Sequence, residues 1–594
     1  MSNSQISSDY LLKHISFLAS DSLKGRFPVS QEATIAASYI AQKFKQYNLK
    51  PLCDNGFQTF EIWLRDTVNR YELKINNKLQ KIQDYQIFPF SSGGNLKNAE
   101  IVFAGYGIIA QNDTLEWNDY KYLDVKNKVV MVFRGMPNTD DFVDELFEKK
   151  SSDYNKALNA YDKGAKGIIL IDAPDNETPL KDCKFSRQKM ETSIPAIRLN
   201  NSVLEKLLNK SKISFENLYQ TANQEPINQK IDLQCQIDLK IVKNQVTGST
   251  SNVVFMIEGT DVWAKNKYIV VGAHYDHLGM GGCQSGSRMP DTLALHNGAD
   301  DNASGVAGII ELARYFSVNK PKMSMIFVAF SAEERGLLGS NYFVKNLLEA
   351  KDSIIPMALE ERSLSSYKCF VNKLLIFEDS IVAMINFDMI GRTNGKLSIM
   401  GVGTGKEFAE LINSVDYDTN ALDVKQIMPA YSGSDHASFT SVGIPALFFY
   451  SSTGENYHTP FDDVQFINAE KSAEVLNFAA KLIEKIDQSG KKITFEHIAS
   501  DYKTEKRANI KVKLGIMPSF EDTQNKGLKI EGVSPNSVAE KSGMQKGDII
   551  VEINNQKVGN LTDYTIRMSN INPGEKCIFK VLRNDEFLQI TVQF

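Results

Sequence analysis

The chain has 594 residues, more than a single hydrophobic core serves, so two to four domains are expected. Lysine plus arginine (67) nearly balances aspartate plus glutamate (72), and a formal charge of -5 excludes both a basic nucleic-acid footprint and a polybasic membrane patch. The apolar runs are strand-sized, well short of the roughly 20 residues of a membrane helix, so no membrane span is expected.

The first residues are polar, with neither a basic n-region nor an apolar h-region, and no signal peptide is expected in this sequence. Apolar spacing predicts helices over 10–20 and 32–47, the second with Ile40, Phe44 and Tyr47 on one face, and then a strand over 57–64. From about residue 71 the texture changes to short strands and turns, including 101–107 and 128–133, and a helix over 154–163 leads into the apolar run 167–171. That helix and run form a local β/α module with no cluster of ionisable groups, and residues 70–240 read as a domain inserted between residues 1–69 and 241–490 of one domain.

Within 241–490 several apolar runs end in residues able to bind a metal. Tyr268 to Gly272 leads into Ala273-His274-Tyr275-Asp276-His277, and Ser324 to Phe330 leads into Ser331-Ala332-Glu333-Glu334. Ala383 to Phe387 runs into Asp388, and Pro445 to Tyr450 precedes a loop with Tyr457-His458. Asp301-Asn302 stands at the amino end of a helix over 305–316, whose apolar face is Val306, Ile309, Ile310, Ala313 and Phe316. Open α/β sheets bind their ligands at strand carboxyl ends. In a His-x-Asp triplet the carboxylate can take the ring proton not needed for ligation. Taken alone, that triplet also fits a histidine and an acid with no metal, and Glu333-Glu334 also fits a solvated loop. Four strand ends of the same kind favour a metal.

Residues 347–378 show no firm element and read equally as a wall over the cleft or a solvated excursion. A helix over 469–486 closes the domain, and a linker begins at 488–492. The last unit, 505–594, has a strand with a glycine turn over 512–516, a short helix over 537–543 and the run Gly547-Asp548-Ile549-Ile550-Val551-Glu552-Ile553-Asn554. Six widely spaced cysteines without a Cys-x-x-Cys pair exclude a zinc-thiolate site and a dense disulfide framework; their even number leaves room for one bridge, and most are expected to be buried thiols.

The segments 274–279, 298–305, 331–340, 386–392 and 434–460 resemble, in order, the motifs of the co-catalytic zinc aminopeptidase family that also contains glutamate carboxypeptidases, glutaminyl cyclases and transferrin-receptor-like proteins. The module at 70–240 is similar to the protease-associated domain found there, and 505–594 resembles a PDZ domain. The resemblance implies an α/β fold: a mixed, mainly parallel sheet flanked by helices, an inserted protease-associated domain and a C-terminal PDZ-like domain. It further implies two zinc ions, one held by His274 and Asp388 and the other by Glu334 and His458, with Asp301 bridging. Asp276 would orient His274, and the Asp301–Asn302 peptide would be cis. Glu333 would be general base toward a metal-bridged water, and Tyr457 would bind the oxyanion. For His436 the family offers no ligand role, and a structural histidine is expected.

The implied activity is that of a zinc-dependent exopeptidase, an aminopeptidase removing N-terminal residues from peptides. Alternatives are a carboxypeptidase, a glutaminyl cyclase-like transferase and a non-catalytic binding protein. The complete ligand set weighs against the last two. Carboxypeptidases of the family clamp the substrate carboxylate with arginines, whereas the arginine here, Arg392, reads as a structural ion pair. Peptide substrates are the implied partners, together with a peptide or protein C-terminus captured beside Leu514-Gly515-Ile516. Relatives with this domain order are commonly exported from bacterial cells, so the resemblance implies a periplasmic or secreted location.

Overall fold

A computed structural model of the chain describes residues 5–111, 116–138, 147–148, 150–174, 176–180, 190–211, 213–354, 380–429, 433–451, 454–496, 511–518, 526–533 and 537–594. At its centre four parallel strands lie side by side in the order Ala446–Tyr450, Ile381–Phe387, Tyr268–His274 and Ser324–Phe330. Every residue of the last three is buried, which is why they read as unbroken apolar runs and not as alternating ones. Lys396–Met400 and Asp423–Ile427 extend one edge, and the antiparallel strand Gln236–Ile257 flanks Ser324–Phe330 on the other.

Helices Ser8–Leu18, Gln31–Gln46, Gly305–Val318 and Ala469–Ser489 bury Leu11, Ile15, Phe44, Ile310, Leu476 and Ile483 in one core with the sheet. Phe44 lies with its ring 5.5 Å from Phe255 and 6.0 Å from Phe327, and burying such a ring contributes about 1.5–3 kcal/mol. A second core gathers Phe343 and Leu347 of helix Leu338–Ile354 with Phe439 of helix His436–Thr440. Residues 355–379, most of the stretch read as a wall or an excursion, lie outside the described residues.

One strand runs well past the expected 57–64. Phe57–Ile75 and Gln236–Ile257 pair antiparallel along most of their length, with register shifts at Val242/Lys243 and Val246/Thr247. Their middle residues are half-exposed, so the alternation that marks 57–64 fades beyond it. The pair carries the chain into the inserted unit, where Gln236 to Ile241 joins Gly94–Phe103. From there a second parallel set continues through Val129–Phe133, Gly167–Ile171 and Ala196–Leu199. Two helices that spacing did not announce, Asn201–Ser211 and Phe215–Gln224, close its core with Leu204 and Leu218.

The inserted unit also holds an ionisable cluster, built outside residues 154–171. Arg198, almost wholly buried, pairs with Asp172 at 2.6 Å and Glu177 at 2.9 Å, and Arg134 pairs with Asp172 at 2.9 Å and Asp153 at 3.0 Å. These groups come from separate segments that the parallel pairing of Gly167–Ile171 with Val129–Phe133 and with Ala196–Leu199 helps to bring together. Cys577 is a buried thiol, while Cys53 and Cys283 are disulfide-bonded.

The C-terminal unit is an antiparallel sheet in the order Ile516–Pro518, Leu528–Val533, Ile549–Ile553, Lys576–Arg583 and Glu586–Gln593, with helix Leu561–Ser569. Its first strand begins at Ile516, not Val512. The unit sits on the inserted one: Tyr154 Oη donates to Asp563 Oδ1 at 2.8 Å, Arg567 pairs with Asp162 at 2.7 Å, and Lys557 Nζ donates to Ser193 Oγ at 3.0 Å. Among the described residues, no helix is long and apolar enough to cross a membrane.

Candidate metal centre

Parallel strands deliver their carboxyl ends to one rim, and there the expected site residues meet. His274 closes its strand with Nε2 at 3.3 Å from Asp301 Oδ1 and 3.4 Å from Asp388 Oδ1. His458 Nε2 lies 3.2 Å from Asp301 Oδ2 and 3.1 Å from Glu334 Oε1. Asp301 therefore turns one oxygen to each imidazole, and Glu333 Oε2 stands 3.9 Å from His274 Nε2. All six residues are buried.

Asp276 departs in part from its expected role. Its carboxylate accepts the backbone N–H of Glu333 at 3.0 Å and of Glu334 at 3.3 Å, and lies 3.9 Å from His274 Nδ1. The nearer partner of Nδ1 is the main-chain carbonyl of Asp276, at 3.1 Å. A proton held there leaves the lone pair on Nε2, the nitrogen that faces Asp301 and Asp388. The turn after the strand thus lets the backbone orient the ring while the side chain fixes the Glu333-Glu334 loop.

The Asp301–Asn302 peptide is cis. Asn302 Nδ2 donates to Phe387 O at 2.9 Å, and its Oδ1 accepts the Gly305 N–H at 2.9 Å, which ties the Asp301 loop to the strand that delivers Asp388. Gly298, at φ 60°, opens this loop; a Cβ there would come within 2.2 Å of Asp301 O, so only glycine fits. The ring of Tyr457 stacks on that of His458 at 3.8 Å, and the Arg288 guanidinium lies 4.9 Å from the Tyr457 ring centre. Burial, followed by the carboxylates of Asp301 and Glu334, pushes the Tyr457 phenol up, so it stays a hydrogen-bond donor. His436 is buried and stacks on Phe448 at 4.6 Å. Arg392 pairs with Asp462 at 3.3 Å.

The charge balance asks for cations. Burial opposes the charging of His274 and His458, but the surrounding carboxylates outweigh it: His274 is raised well above the usual imidazole range and His458 to about 11. Burial likewise opposes ionisation of Glu334, yet His458 and His277 hold it well below the carboxylate range. Asp388 Oδ1 and His458 Nε2 are buried without a hydrogen bond among the described residues. Tetrahedral donors about 2.0–2.2 Å from zinc stand roughly 3.3–3.6 Å apart, close to the 3.1–3.4 Å found here, and an all-nitrogen-and-oxygen set suits a catalytic ion. The residues fit zinc.

Several supporting residues escaped the sequence reading. Arg26 is wholly buried and donates to the carbonyls of Leu18, Tyr275, Asn297 and Gly298, gripping both the His274 and the Asp301 loops. Burial draws its pKa down to about 10, against Asp301 and Asp276, so it keeps its charge. Asp462 accepts the N–H groups of Asp300 and Asp301. His277 offers a donor atom within 4.8 Å of donor atoms of Asp301 and Glu334, and its only signal was its place beside the His-x-Asp triplet.

Residues 252–483 match the model of Peptidase family M28, residues 97–207 that of the PA domain and residues 529–583 that of the PDZ domain. Aminopeptidase YwaD of Bacillus subtilis (strain 168) is similar at 24% identity, over 59% of this chain and 60% of its own. A probable zinc metalloprotease of Pyrenophora teres f. teres is similar at 33% identity, over 18% of this chain and 24% of its own. The chain thus spans less than two thirds of either relative. A solved structure, the aminopeptidase from Aneurinibacillus sp. strain AM-1, is similar at 22% identity over 84% of this chain and 98% of that one, with a TM-score of 0.46. Residues 252–483 are thus similar to peptidase family M28, with a PA-domain match before them in the chain and a PDZ-domain match after them.

Proposed function

We propose that this metallopeptidase is a two-zinc aminopeptidase that removes N-terminal residues from peptides. The observation that carries the reading is the buried convergence of His274, Asp301, Glu334, Asp388 and His458, with Glu333 beside it. His274 and Asp388 would hold one ion, Glu334 and His458 the other, and Asp301 both. Two bound zinc ions would polarise the scissile carbonyl and make a shared water acidic enough to ionise near neutral pH.

Glu333 is the base. Burial first, then the neighbouring carboxylates Glu334 and Asp388, raise its carboxyl well above the usual range against the pull of His274. Such a group accepts the water's proton and passes it to the leaving amine, a role worth about 100 to 10,000-fold in rate. The Tyr457 hydroxyl donates to the oxyanion that forms at the carbonyl. The similarity to an aminopeptidase of Bacillus subtilis supports release from the amino end.

The PDZ domain would capture an extended peptide or protein C-terminus beside Leu514-Gly515-Ile516, through main-chain pairing at a sheet edge. The disulfide-bonded Cys53 and Cys283 suit an oxidising compartment and support export to the periplasm or the medium.

The test is a peptide set with free and with acetylated amino ends, digested by the zinc-loaded enzyme. Free peptides are expected to shorten residue by residue from the N-terminus while acetylated ones resist. Release of C-terminal residues from a blocked peptide would mean a carboxypeptidase instead.

A further inference from the structure

His277 is a buried histidine to which the reaction gives no task. It follows the last residue of strand Tyr268–His274 by three positions and is wholly buried. Its backbone N–H donates to Arg26 O at 3.3 Å. The ring packs against Gly298, where an added Cβ would come within 2.5 Å of His277 Cδ2, so its orientation is fixed from behind. Nδ1 then lies 2.9 Å from Glu334 Oε1 and 3.9 Å from Asp301 Oδ2, while Nε2 has no hydrogen bond among the described residues.

The tautomer follows from these contacts. A bare Nδ1 would set its lone pair against a carboxylate oxygen at 2.9 Å, whereas a protonated Nδ1 makes a charge-assisted hydrogen bond of ordinary length. The same Oε1 lies 3.1 Å from His458 Nε2 and so faces the position of the second ion. We propose that His277 is a positioning residue for that ion: its Nδ1–H holds the Glu334 carboxylate in the rotation that turns Oε1 toward His458 and Asp301. Partners that orient metal-ligating groups typically contribute about 10 to 100-fold in metal affinity. The inference rests on the two-zinc reading above.

Two substitutions separate hydrogen bonding from packing. His277→Asn keeps an amide N–H near the place of Nδ1, while His277→Leu fills the space without a donor. Zinc affinities are measured by competition with a chromophoric chelator, and thermal melting of the metal-free proteins establishes that each variant folds. In the leucine variant one of the two zinc affinities is expected to fall about 10 to 100-fold and the other to hold, with the asparagine variant close to the parent. Unchanged affinities in the leucine variant would overturn the proposal, as would an asparagine variant as weak as leucine. A parent protein that binds no zinc would bring down the two-zinc reading itself, an outcome distinct from a parent with two ions and an indifferent His277. The crystal structure of the zinc-loaded parent decides independently of whether the variants fold. His277 Nδ1 should remain on Glu334, and a zinc–Nδ1 distance of about 2.0–2.1 Å would make it a ligand and overturn the positioning role.

Discussion

The loops that carry His274 and Asp301 meet through one guanidinium. Arg26 spreads its donors over four carbonyls from three segments, a pattern that needs a planar fork with several N–H groups. Lysine keeps the charge but cannot reach all four acceptors. Each buried carbonyl left unpaired costs about 1–3 kcal/mol, so Arg26→Lys is expected to destabilise the metal-free protein by roughly 3 kcal/mol or more and to slow turnover with it. Denaturant melts of the two proteins check this, and a loss below about 1 kcal/mol would contradict it. Nothing in the sequence points to Arg26, because three of its four acceptors are backbone atoms 249 to 272 positions away and no residue pattern records them. The residues proposed to hold zinc were legible for the opposite reason. A parallel strand leaves an apolar run in the sequence, and the polar residue that ends it projects at the rim whatever the rest of the chain does. The roles within Asp276 were not legible, since a residue type does not say whether its side chain or its carbonyl reaches the ring.

Among the elements, helix Ser8–Leu18 shows what amphipathic spacing conveys and what it hides. It buries Leu11, Ile15 and Leu18 at helical spacing, and also His14, whose Nδ1 lies 2.6 Å from Tyr39 Oη. Burial first, then the charges of Lys43, Lys13 and Arg314, lower His14 from 6.5 to about 4, with Glu311 3.9 Å away. Because the folded pKa lies below the unfolded one, the unfolded chain binds the proton more readily. The stability that neutral His14 permits is thus complete above about pH 6.5 and is lost as pH falls toward 4. The full effect is about 3 kcal/mol. His14→Gln should therefore gain on the parent as pH drops through this window, read as the difference in unfolding free energy at several pH values. A constant difference would show that His14 does not titrate on unfolding. Long elements were the least legible: Phe57–Ile75 and Gln236–Ile257 contain half-exposed middles whose residues obey pairing between distant strands and not burial on one face.

At the scale of the whole molecule, the five residues proposed to hold zinc lie between His274 and His458, while the PDZ domain rests on the PA domain through Tyr154, Asp162 and Ser193. Truncation after residue 490 should leave turnover of dipeptides within a few-fold, raise the Michaelis constant only for long peptides, and lower the melting temperature of the PA domain, whose covered polar groups it exposes. Equal losses on short and long substrates would mean that the PDZ domain stabilises the enzyme without helping to hold peptides. The account as a whole stands on the division of labour between two adjacent glutamates, one holding metal and one moving a proton. Glu333→Gln tests that division most directly, with zinc counted per chain and turnover measured on the same preparation. The prediction is about two zinc ions retained and a rate at least roughly 100-fold lower; a variant that loses its zinc, or one that keeps its activity, would contradict it.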